Sequence, residues 1–105
     1  MPFTKYQAIK RAKELVEDIS KKISINQAYL FGSYAKGRPN QWSDLDIALV
    51  SNQFKGIRFY DYKSILPYLR GCPNYFEIHP FKKKDFNSKN LFVKEIINNG
   101  IKLTP

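Results

Sequence analysis

Residues 32–50 read GSYAKGRPNQWSDLDIALV. From Asp44 to Val50 the residues alternate. Leu45, Ile47 and Leu49 point one way; Asp44, Asp46 and Ala48 point the other. Period two over an apolar run is the mark of a β-strand with at least one buried face. The same alternation sets two carboxylates on one face of that strand. Like charges side by side in a half-dry place repel each other and lose hydration, so something must offset the cost.

Working outward, Ile25 to Phe31 is an apolar and aromatic run stopped by Gly32, which reads as an earlier strand. Ser33 is placed to cap a short turn over 34–36, and Gly37 to end it. Residues 38–43 hold Pro39, Asn40 and Gln41 and read as a loop. Thr4-x-x-Gln7 forms a capping box with Phe3 as its staple residue. It opens an amphipathic helix on which Ala8, Ala12, Leu15, Val16 and Ile19 share one face. Downstream, 59–69 reads as a weaker helix disturbed by Pro67, and 75–81 as a third strand. In that strand Phe76 and Ile78 share one face; Tyr75, Glu77 and His79 share the other. A last helix, capped by Asn87 or Ser88, carries Leu91, Phe92, Glu95 and Ile96 and ends at Asn98-Asn99-Gly100. A short edge strand over 101–103 follows. Helices and strands alternating in this way predict an α/β (α+β) fold: a small mixed β-sheet covered by helices.

The bulk composition bounds the function. The chain has 105 residues, 43% of them hydrophobic and 26% charged, and is read as a single domain over 1–105. Cys72 is its only cysteine, so no internal disulfide forms. The N-terminus lacks the apolar core of a signal peptide and no run approaches a membrane span, which reads as a cytoplasmic protein without membrane contact. The formal net charge of +9 favours anionic partners such as nucleotide phosphates, nucleic acid or an acidic protein surface.

The chemistry follows from the carboxylates. Alternate strand residues lie roughly 7 Å apart along the chain, from where Asp44 and Asp46 can converge on divalent cations. Hard oxygen ligands select Mg²⁺ or Mn²⁺, and positive charge cancels the repulsion noted above. Two such ions clamp a phosphoryl group. Glu77, central on the third strand, is the candidate third acid if that strand neighbours the second. Gly32 lets the backbone approach a phosphate, Ser33 adds a donor, and Lys36 and Arg38 lie near enough to screen a triphosphate.

At Gly32-Ser33, Gly37, Asp44-x-Asp46 and Glu77 the chain resembles the nucleotidyltransferase superfamily that includes DNA polymerase beta. It is most similar to the small prokaryotic minimal nucleotidyltransferases. The resemblance implies Mg²⁺-dependent transfer of a nucleoside monophosphate, usually AMP from ATP, to a hydroxyl. Asp44, Asp46 and Glu77 would hold two ions, and Gly32 and Ser33 would grip the terminal phosphates. It also implies a HEPN-type partner: such enzymes act as antitoxins that modify a tyrosine of the HEPN toxin. Glu77 stands where Asp is more usual, one methylene longer. Since the chain carries no separate acceptor or nucleobase domain, a partner or a homodimer mate would complete the pocket.

Other residues are read as structural. His79 can orient Glu77, touch the acceptor or shuttle a proton, but packing beside Pro80 is favoured. Tyr34 is read either as a cover for the nucleotide or as an exposed ring. Trp42 and Cys72 are read as packing residues, Ser43 as a brace for the loop, and Lys82-Lys83-Lys84 as a solvated run rather than a nucleic-acid site. Two rivals to the transferase stand: a binding module that docks a protein or RNA, and a metal-dependent hydrolase, which leaves the Gly-Ser turn without a purpose.

Overall fold

The structure, a computed structural model, describes residues 3–36, 44–69 and 75–104. Gly37, Arg38, Trp42, Ser43 and Cys72 lie outside the described residues. Helix α1 spans Lys5–Ser20 and opens with the full capping box: Gln7 N–H donates to the Thr4 hydroxyl, and Thr4 N–H to the Gln7 side chain. Strands β1 (Gln27–Phe31) and β2 (Leu45–Ser51) follow, then helix α2 (Arg58–Ile65) and strand β3 (Phe76–Lys82). Helix α3 (Leu91–Asn99) and the two-residue strand β4 (Ile101–Lys102) complete the order. The expected alternation of helices and strands is thus observed, with boundaries moved by a few residues.

The four strands form one mixed sheet in the order β3-β2-β1-β4. β1 runs antiparallel to both β2 and β4, while β2 and β3 are parallel. Ala8, Ala12, Leu15, Val16 and Ile19 of α1, with Ile65 of α2, bury Leu30, Leu45, Ile47, Leu49 and Ile78 on one face. Val93 and Ile96 of α3, with Phe86, cover Tyr29, Ala48 and Val50 on the other. β2 is therefore buried on both faces over most of its length, whereas its alternation alone required only one. Each fully buried aliphatic side chain contributes about 1.5–3 kcal/mol relative to exposure.

One local expectation is corrected and two are refined. The cap of α3 is Asn90, whose side chain accepts from Phe92 and Val93 N–H; Asn87 instead closes the turn before it, accepting from Lys89 N–H. The α-helical hydrogen bonding of α2 stops at Ile65 and a 3₁₀ turn over Leu66–Leu69 takes the rest, because Pro67 offers no N–H. Gly100 sits at φ −78°, so it serves for space: a Cβ there would run into the Ile96 carbonyl. One brace gave no sequence signal. Buried Asp61 accepts from Lys55 N–H (2.7 Å) and Gly56 N–H (2.9 Å), which pins the entry to α2.

Candidate active site

β1 ends at Phe31, directly opposite Asp46 of the antiparallel β2. The next residue, Gly32, therefore turns beside the Asp46 carboxylate. Its φ is +81°, and a Cβ there would collide with Asp46 Oδ2. Glycine is needed twice over, for left-handed backbone and for the close approach. The chain then makes one helical turn, closed by Lys36 N–H donating to the Gly32 carbonyl at 3.1 Å. The expected Gly-Ser turn is thus in place next to one of the two expected aspartates.

The parallel β2–β3 register supplies the third acid. Asp46 pairs with Glu77, and Ala48 with His79. Glu77 therefore lies beside Asp46, as anticipated if the strands were neighbours. Asp46 is largely enclosed, with 22% of its side chain exposed, whereas Glu77 at the rim keeps 51%. Asp44 precedes β2 and is exposed.

His79 departs from its expected role. Its ring does pack, edge-on to Phe31 with centroids 5.0 Å apart and near Phe92 at 6.0 Å. Its Nε2, however, faces the acids, 3.5 Å from Asp46 Oδ1 and 3.8 Å from Glu77 Oε1. Asp46, Glu77 and His79 each offer one ligand atom within 4.8 Å of the others. Among the described residues this is the group able to hold a metal ion, and Asp44 is not part of it. The available signal was the spacing Glu77-x-His79 on one strand face, which packing beside Pro80 outweighed.

The remaining candidates sit around this centre. Ser33 is half-buried in the turn. Lys36 is exposed and forms an ion pair at 3.5 Å with Glu95 of α3. Tyr34 corrects both of its readings. Its ring is buried in the core and its hydroxyl accepts from Phe3 N–H at 2.9 Å, tying the start of α1 to the turn. A cleft of about 200 Å³ opens beside the turn, lined by Phe31, Gly32, Ala35, Lys36, Phe92 and Glu95 among others. Neither this cleft nor the roomier ones on α2 and between α1 and β4 is lined by Asp44, Asp46 or Glu77. No helix among the described residues is long and apolar enough to cross a membrane.

A glycine turn against one carboxylate of a D-x-D strand, with an acid from the adjacent parallel strand, is a constellation suited to metal-assisted phosphoryl chemistry. Comparison with known proteins agrees. The family model described as polymerase beta, nucleotidyltransferase matches residues 13–104. No curated protein matches the chain significantly. Among solved structures, a Sulfolobus solfataricus protein assigned as a nucleotidyltransferase superposes with TM-score 0.67 at 21% identity. That alignment covers 94% of this chain and 81% of the other. A mutant of the MntA–HpeT toxin–antitoxin aligns at TM-score 0.56 and 16% identity, covering 89% and 72% of the two chains. A toxin–antitoxin bound to AMP-PNP aligns at TM-score 0.56 and 17% identity, covering 88% and 72%. At these identities the structural matches speak to the fold, and the family match spans most of the chain. The chain belongs to the polymerase beta nucleotidyltransferase family.

Proposed function

We propose that this nucleotidyltransferase moves AMP from ATP to a hydroxyl on a protein partner, with divalent cations, Mg²⁺ or alternatively Mn²⁺, held by Asp44, Asp46 and Glu77. The observation that carries this reading is the convergence of the Gly32 turn, Asp46 and Glu77 at one end of the sheet. The cations would neutralise charge on the phosphates and lower the pKa of the attacking hydroxyl. The protein's own groups do the rest. Gly32 admits the terminal phosphates close to the backbone and Ser33 donates to them, while Lys36 and Arg38 screen the triphosphate. Glu77, half exposed at the rim, stands where an acceptor arrives and takes its proton. The acceptor oxygen bonds to the α phosphorus, the α–β bond breaks, and pyrophosphate leaves.

The toxin–antitoxin assemblies among the similar folds, one of them with AMP-PNP, support an antitoxin role and a nucleotide substrate. On this reading the acceptor is a tyrosine of a HEPN-type toxin, encountered in the cytoplasm. Ile57, Phe59, Tyr60 and Leu66 lie exposed around α2, which supports contact with a protein surface, either the toxin's or that of a second copy.

The test uses radiolabelled ATP and mass spectrometry of the co-expressed partner. Asp46→Asn should abolish label transfer, at least about a hundredfold, while circular dichroism remains unchanged. Wild-type activity in that variant would remove Asp46 from the mechanism. Tight partner binding that ignores divalent cations and leaves no adduct would favour the binding module.

A further inference from the structure

Both ring nitrogens of His79 are buried without a hydrogen-bond partner, and the side chain as a whole is only 12% exposed. Leaving a buried polar group unpaired costs about 1–3 kcal/mol, so the arrangement calls for a ligand. The ring cannot easily turn away, because Phe31 and Phe92 pack against it. Its Nε2 separations of 3.5 Å from Asp46 Oδ1 and 3.8 Å from Glu77 Oε1 are too long for good hydrogen bonds. They fall between the separations of adjacent and of opposite ligands on one ion. Ligands bound at about 2.1 Å stand roughly 3.0 Å apart when adjacent and about 4.2 Å apart when opposite.

We propose that His79 Nε2 is itself a metal ligand, joining Asp46 and Glu77, and that this site therefore prefers a first-row transition-metal dication to Mg²⁺. The inference rests on the metal-dependent reading above and sharpens it. An ion held by Asp44 and Asp46 would keep an all-oxygen environment that suits Mg²⁺. The ion on the β3 side of Asp46 meets a nitrogen, and imidazole suits the transition metals where Mg²⁺ favours carboxylate, carbonyl and water. His79 also lies two residues along β3 from Glu77 on the same sheet face, so one strand presents both ligands without loop rearrangement.

Mn²⁺ serves as the probe, because it binds such sites and is paramagnetic. The protein has a single histidine, so selective ¹⁵N-histidine labelling reports on His79 alone. Pulsed electron paramagnetic resonance of the Mn²⁺-loaded protein should show one ¹⁴N coupling of imidazole type. Labelling should convert it to ¹⁵N, and His79→Gln should remove it. Competition calorimetry should show Mn²⁺ bound at least about tenfold tighter than Mg²⁺, a preference that His79→Gln reduces. Mn²⁺ bound without any label-sensitive coupling would overturn the histidine ligand and leave the proposed transfer standing. No uptake of either cation, even with a nonhydrolysable triphosphate present, would sink both. The labelling experiment uses the unsubstituted protein, so it holds even if the variant folds poorly.

Discussion

Gly32 shows how tightly one residue couples backbone to chemistry. It must be left-handed, and it must lack a Cβ to pass the Asp46 carboxylate. Gly32→Ala meets both penalties. A non-glycine residue forced into an unfavourable backbone region costs about 1–3 kcal/mol, and relief by moving Asp46 would displace the carboxylate from its place beside Glu77. The expected outcome is a lowered urea midpoint together with loss of label transfer. Unaltered stability and activity would show that the turn tolerates a side chain. Asp46 and Asp44 also separate at this scale. Asp46 is enclosed and grouped with Glu77 and His79, whereas Asp44 is exposed and outside that group. Asp46→Asn should therefore disturb cation binding at the histidine side, where Asp44 has no ligand atom in the group.

At the scale of elements, β2 is the axis of the molecule. Leu45, Ile47, Ala48, Leu49 and Val50 are fully buried, so its register against β1 and β3 is held on two faces at once. A slip of one residue would turn Asp46 away from the glycine turn and bury it against α1. Helix α3 supports the same end of the sheet, since its Phe92 reaches Phe31 at 5.5 Å and His79 at 6.0 Å. The helix is short, and its start depends on Asn90, which accepts two backbone N–H groups. Asn90→Ala should lower global stability by about 1 kcal/mol, read as a shift in urea midpoint at constant slope. Faster amide exchange confined to α3 would place the loss in that helix. An unchanged midpoint would mean that packing of Val93 and Ile96 alone holds α3.

For the whole molecule, the contrast is between a formal net charge of +9 and an acidic centre built from Asp46 and Glu77. On the proposed function, a basic surface would attract triphosphate, and cations at the acids would let it settle there. Affinity for a nonhydrolysable ATP analogue should then fall several-fold between about 0.05 and about 0.5 M salt, because exposed charges are screened over that range. Titration calorimetry at fixed free cation measures this directly, and affinity indifferent to salt would assign the attraction to local contacts only.

The features that could be read from the residues depend on near neighbours. The capping box of Thr4 and Gln7, the period-two run of β2, the glycine after Phe31 and the break at Pro67 are local steric and hydrogen-bonding rules. They act in any chain that carries those residues. They sufficed for the element order and for the association of the Gly-Ser turn with D-x-D. They erred by a few residues at the α3 cap, where Asn87, Ser88 and Asn90 are all competent. What lay beyond them was set by contacts between distant segments: the parallel pairing of β2 with β3, the exposure of Asp44, the burial of Tyr34 beneath the start of α1, and the turning of His79 toward the acids. Those outcomes depend on which strands neighbour one another and on which faces find a helix. A single strand's alternation says only that a side chain faces one way; packing in three dimensions decides what it meets there.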